Sequence, residues 1–118
     1  MTTTQLVMYA GASGDFNRIH YDLPFAQEAG LGGVIAHGML TMGFSAQLLS
    51  GLGGPRGFVR NIEAKFVSSV RPGDVVKLAG TVADVQERDG VTDVSVRLTG
   101  KVDDREVITG TGVVSIPI

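Results

Sequence analysis

The sequence predicts an α+β domain in which a strongly curved antiparallel sheet wraps one long buried helix. Three observations predict it. Between Gly38 and Leu52 the residues Met39, Leu40, Met42, Phe44, Ala46, Leu48, Leu49 and Leu52 place apolar side chains nearly all the way round a helical wheel. After Pro55 the apolar period changes from helical to alternating. Turn signals then recur at Arg71-Pro72-Gly73-Asp74, Asp89-Gly90 and Asp103-Asp104-Arg105, dividing the second half into strands.

The elements follow in order. Gln5 to Tyr9 are good helix formers behind Thr3 and Thr4, whose hydroxyls can cap the first free amides, and this short helix is expected to run out at Gly11. Ser13 to Asn17 is a cluster of turn formers. A second short helix is predicted with Asp22 as its cap, Pro24 in its first turn and Gly30 ending it. The long helix follows and is stopped by Gly51, Gly53, Gly54 and Pro55. Phe58, Ile62, Ala64 and Phe66 share one parity, while Asn61, Glu63 and Lys65 share the other, the pattern of a half-buried strand. Val75 to Gln86, Val91 to Val102 and Glu106 to Ile116 complete what reads as an antiparallel meander. A single sheet cannot enclose a helix that is apolar all round, so the uncovered side calls for a second molecule, a dimer at least.

Composition narrows the function. The 118 residues, 43% of them hydrophobic, suit one domain spanning residues 1–118. Ten Lys plus Arg against twelve Asp plus Glu leave a formal charge of -2 and no electrostatic reason to expect nucleic acid or an anionic membrane surface. Without cysteine there is no disulfide, thiol nucleophile or Cys-based zinc site. No basic residue precedes Arg18 and no apolar stretch approaches a membrane span, so a cytoplasmic protein is expected.

Asp15 and His20 stand five residues apart in a loop between helices, with Asn17 between them. A carboxylate and an imidazole on one tight loop can hold a water between them, the arrangement proton transfer needs near neutral pH. The same residues also fit a plainer role, with Asp15 and Asn17 capping the turn and His20 a satisfied half-buried histidine. His37-Gly38-Met39 opens the long helix, where unpaired amides carry the positive end of the macrodipole and a glycine lets a substrate oxygen approach the backbone. His37 itself reads as a packing residue. Asp15, His20 and His37 are metal-ligand types, but their spacing matches no metal motif, so no metal is expected. The glycines at 11, 14, 30, 32 and 33 lack the setting and the lysine of a phosphate loop, and no serine sits in a hydrolase elbow.

The run Tyr9-Ala10-Gly11-Ala12-Ser13-Gly14-Asp15-Phe16-Asn17-Arg18-Ile19-His20-Tyr21-Asp22 resembles the signature of the MaoC-like R-specific enoyl-CoA hydratases and (3R)-hydroxyacyl thioester dehydratases. Ile35 to Met42 resembles the second block of that family, and Arg71-Pro72-Gly73-Asp74 its inter-strand turn; small dehydratase subunits of type II fatty-acid synthesis look most similar. The resemblance implies a hot-dog fold and reversible hydration of trans-2-enoyl thioesters, carried by CoA or acyl-carrier protein, to (R)-3-hydroxyacyl thioesters. It implies that Asp15 and His20 hold the reacting water, that Asn17 shapes the loop and contributes to substrate binding, and that the Gly38 amide receives the thioester oxygen. No cofactor is required. A homodimer or higher oligomer is implied, with a heterodimer of related subunits as a variant. A non-catalytic acyl-binding subunit and a hot-dog thioesterase are the competing readings. Arg18 stands where the family usually has proline, and Ala46 where some relatives carry a serine; Ser45 is its neighbour, and no serine is assigned a catalytic role.

Overall fold

Pro55 divides the molecule as it divides the sequence. A computed structural model describes residues 1–118, and every helix precedes that proline while every strand follows it. Helix α1 spans Thr3–Ser13. Its cap is Thr2, one residue before the predicted pair: the Thr2 hydroxyl accepts from the Gln5 amide at 3.1 Å and the Gln5 side chain accepts from the Thr2 amide at 2.8 Å. With both ends of that turn satisfied, the helix continues past Gly11 and ends only at Gly14, whose φ of 75° is the left-handed closing conformation. Leu6 and Ala10, one turn apart, are its buried face. A single 3-10 turn, Arg18–His20, leads to α2, Leu23–Glu28, where Asp22 caps the Phe25 amide at 3.3 Å. Helix α3 spans Gly38–Gly53.

Strands β1 (Phe58–Phe66), β2 (Val76–Arg88), β3 (Val91–Val102) and β4 (Arg105–Pro117) form one antiparallel sheet in the order β1-β4-β3-β2. The meander is therefore confined to β2, β3 and β4, joined by tight turns in which Asp89, Gly90 and Asp103 have positive φ. Strand β1 corrects the prediction, because it pairs with β4 at the edge opposite β2. The connection from Val67 to Val75 makes the crossing possible. It is pinned on the way by the Val67 amide donating to the Val107 carbonyl at 2.9 Å and the Ala36 amide donating to the Val70 carbonyl at 2.7 Å. A register shift between Val59 and Asn61 also switches the facing of β1, so Val59 turns inward and Phe58 is exposed.

The core has two parts. Leu6, Ala36, Val70, Val102, Val107 and Ile108 pack beside the start of α3, and Leu49, Val94, Val96, Leu98 and Val114 pack beneath its second half. Helix α3 buries the one-turn stripe Thr41, Ser45, Leu49 and Gly53 against the sheet. Of its other apolar residues, Leu40, Met42, Phe44 and Ala46 are half-buried, while Met39, Leu48 and Leu52 are exposed. Burial on most sides, as the helical wheel predicts, is thus only half met within one chain, since four strands cover one side of a cylinder.

Candidate active site

Gly14 turns the chain out of α1, and the loop behind it is held by its own polar side chains. The Ser13 hydroxyl accepts from the Asp15 amide at 3.1 Å, the Asp15 carboxylate from the Asn17 amide at 3.1 Å, and the Asn17 side-chain oxygen from the Ile19 amide at 3.2 Å. Asn17 therefore shapes the loop, and its side chain is not part of the cavity wall described below. Arg18, in the place of the family's usual proline, closes the same loop from outside: its Nε and Nη2 donate to the Asp22 carboxylate at 3.0 and 2.8 Å, and its guanidinium lies 4.4 Å over the Phe25 ring. The Arg18 hydrogen bonds, and next the Phe25 amide, hold the Asp22 carboxyl below its ordinary value of 3.8.

His20 is buried, with Nδ1 2.8 Å from the Ile35 carbonyl oxygen. A carbonyl only accepts, so Nδ1 carries the proton and donates, leaving Nε2 of the neutral ring with a free lone pair. That nitrogen lies 3.8 Å from Asp15 Oδ2. The gap is too long for a direct hydrogen bond and fits one water donating to both atoms.

The head of α3 completes the site. His37 precedes the helix in extended conformation and its side chain caps nothing there. The amides of Gly38 and Met39 donate to no protein acceptor, and the Ile35 carbonyl, the regular partner of the Met39 amide, is taken by His20. A Cβ at position 38 would lie 2.7 to 2.9 Å from three ring carbons of Phe66, so the glycine makes room for that ring as well as for a ligand. A cavity of about 330 Å³ opens at this point, walled by His20, Gly38, Thr41, Phe66, Ser68 and Val107 among others. Phe66, Thr41 and Ser68 are members that sequence reasoning missed: in the sequence pattern Phe66 reads as a strand position and Ser68 carries no catalytic motif. A second apolar groove of about 820 Å³ runs along α3 past Phe44, Leu48, Leu52, Val75 and Leu78 and touches none of the predicted site residues.

His37 is drawn into the centre. Its Nε2 donates to the Asp15 carbonyl at 3.2 Å, and its ring stacks on that of His20 with centroids 3.7 Å apart and planes at 21°. The edge of Tyr9 meets it at 4.9 Å. Asp15, His20 and His37 thus offer donor atoms within 4.8 Å of one another. The geometry suits a metal poorly. Donors roughly 2.1 Å from a tetrahedral ion stand about 3.4 Å apart and aim at it, whereas lone pairs of stacked imidazoles lie in nearly parallel planes and do not converge.

A curved antiparallel sheet laid along a central helix defines a hot-dog domain, and in this one an acid and an imidazole from one loop come within 3.8 Å of each other near the head of that helix. Comparison with known proteins makes the assignment specific. Residues 1–103 match the MaoC like domain. The chain is 37% identical, over 99% of its length and 81% of the relative's, to the (R)-specific enoyl-CoA hydratase of Rhodospirillum rubrum. It is 35% identical over 92% of its length to a fatty acid synthase beta subunit of Emericella nidulans, of which it spans 6%. Among solved structures it superposes on the (R)-hydratase from A. caviae involved in PHA biosynthesis with a TM-score of 0.83 and 27% identity, covering 99% of this chain and 89% of that one. The chain belongs to the MaoC-like family.

Proposed function

We propose that this protein is a hydro-lyase that reversibly hydrates trans-2-enoyl thioesters to (R)-3-hydroxyacyl thioesters. The observation that carries the reading is the pair of acceptors, Asp15 Oδ2 and His20 Nε2, 3.8 Å apart at the head of a helix whose first amides are unused. A water donating one hydrogen to each acceptor keeps its oxygen lone pairs free, which is the state a nucleophile needs. As that oxygen bonds to the β-carbon, the pair takes the proton, and negative charge moves onto the thioester oxygen. The Gly38 amide and the positive end of α3 stabilise that charge. The proton is then returned to the α-carbon; dehydration is the reverse. Thioester conjugation already activates the substrate, so the site needs only proton transfer and charge stabilisation. CoA or a carrier protein serves as the handle.

The exposed Leu48 and Leu52, one turn apart on α3, and the unpaired edge of β2 support a working dimer, with a like or related subunit covering them. No helix is long and apolar enough to cross a membrane, in keeping with a cytoplasmic role.

Loss of conjugated enoyl absorbance with crotonyl-CoA tests the reaction. Wild type is expected to turn over, while Asp15→Asn and His20→Ala each lose about three orders of magnitude with circular dichroism unchanged. Full turnover in both variants refutes the assignment. A wild type inert alone but active with a second hot-dog subunit assigns it to a heterodimer.

A further inference from the structure

His37 is the buried titratable group that the reaction as drawn does not use. It is 2% exposed, and its Nδ1 is sealed from solvent with no hydrogen-bond partner. An unpartnered buried nitrogen is costly, and a residue kept only for packing would be better served by a carbon ring. The other contacts of the ring show what the nitrogen-bearing ring is for. Nε2 donates to the backbone carbonyl of Asp15, and one ring face lies against the imidazole of His20. Those are the two residues whose 3.8 Å separation the site depends on. Asp15 needs such support: its side chain is half exposed and sits on the stretch from Gly14 to Arg18, whose other hydrogen bonds are short-range, whereas Ile19 and His20 beyond it are tied to Ile35. His20 is fixed at Nδ1 by Ile35, which leaves rotation about that bond to be stopped by the stacked ring.

We infer that His37 is a positioning residue that sets the distance between Asp15 and His20. It fixes the Asp15 backbone through Nε2 and blocks rotation of His20 by stacking. The donated Nε2 proton dictates the tautomer, and the unpaired Nδ1 is its consequence. The inference rests on Asp15 and His20 being the reacting pair.

Two variants separate the roles of the ring. His37→Phe keeps the stack on His20 and the edge contact with Tyr9 but cannot donate to Asp15. His37→Gln keeps a donor at similar reach and removes the stack. In His37→Phe, kcat is expected to fall by about ten- to a hundredfold, the scale of a small misplacement of reacting groups, with KM little changed. Its Tm stays level or rises, because the unpaired nitrogen is gone. Amide hydrogen exchange over residues 14 to 20 should speed up, and His37→Gln should recover part of both kcat and loop protection. Retention of wild-type kcat by His37→Phe overturns the inference, as does unchanged exchange in that loop. A fall in Tm that carries kcat down equally in both variants also overturns it, because packing alone gives that result. If the wild type is inert on enoyl thioesters, the reaction is misassigned, and the exchange measurement still decides whether His37 holds the loop.

Discussion

Gly38→Ala places one methyl group against the ring of Phe66, and the cost can be worked from the structure. The backbone does not require glycine, because φ at position 38 is not positive. The new Cβ would meet three ring carbons at 2.7, 2.8 and 2.9 Å, whereas carbon atoms pack best at about 3.5 to 4.0 Å, so the ring must withdraw by roughly 0.8 Å or swing out. Phe66 is 48% exposed and can swing. Overpacking in a rigid core costs about 1 to 3 kcal/mol, and a mobile ring keeps this case at about 1 to 2 kcal/mol. Against that, Ala gains at most a few tenths of a kcal/mol at the first helical position, well below the interior helix preference of about 1 kcal/mol. The decisive measurement is a double-mutant cycle with Phe66→Ala, read by urea unfolding. On the Phe66→Ala background the same substitution should cost nothing, giving an interaction energy of about 1 kcal/mol or more. Activity on crotonyl-CoA should fall at least about tenfold in Gly38→Ala, because the displaced ring and the methyl both crowd the amide assigned to the thioester oxygen. An equal cost on both backgrounds refutes the steric account.

Three further perturbations test other parts of the molecule. Gly112→Ala drives a methyl into the Leu49 side chain, which is 1% exposed and has nowhere to go, so the urea midpoint should fall by the equivalent of about 2 to 3 kcal/mol, more than for Gly38→Ala. The Asp22 carboxyl is held below 3.8 by Arg18 and the Phe25 amide, so its contribution to stability is present above the unfolded value and is lost as pH falls through the lower folded value. The stability difference between wild type and Asp22→Asn should therefore be constant at neutral pH and close only in acid below about pH 4; a gap unchanged in acid excludes that linkage. Leu52→Glu puts a charge on the exposed Leu48/Leu52 face of α3, and sedimentation should show a dimer or larger for wild type shifting to monomer, whereas an unaltered mass removes this face from the interface.

What the sequence could reveal depended on whether the cause was local. Helix α3 and strands β2, β3 and β4 are legible because their periods and the Asp89-Gly90 and Asp103-Asp104 turns lie within a few residues of what they determine. The Thr2 cap is also legible, since threonine followed three residues later by glutamine is a capping box, which places the cap one residue ahead of Thr3 and Thr4. The edge joined by β1 was not, because β2 and β4 are equally good partners to a local reading and the choice lies in the pinned Val67 to Val75 connection. Nor was the facing of Phe58, which a one-residue irregularity reverses. In the site, turn composition and the family resemblance drew attention to Asp15, Asn17, His20 and Gly38. Phe66 and the part played by His37 arise from contacts 28 and 22 positions apart, which no spacing rule encodes.

The two halves of the site depend on one acceptor. If α3 began a turn earlier, the Ile35 carbonyl would accept the Met39 amide in the ordinary helical way, and His20 would lose its partner. An unanchored His20 is free to carry its proton on Nε2, where it would donate to water rather than accept from it, and the Met39 amide would no longer be available at the helix head. The helix begins at Gly38 because Ile35 and Ala36 are held outside it by other partners: the Ile35 amide donates to the Ile19 carbonyl at 3.1 Å and the Ala36 amide to the Val70 carbonyl at 2.7 Å. The segment that carries His20 and the connection between β1 and β2 thus jointly decide where α3 starts. That starting point assigns the proton to Nδ1 and leaves the first amides of α3 without a protein acceptor, so the proposed general base and the proposed charge-stabilising end of the helix are set by the same pair of backbone contacts.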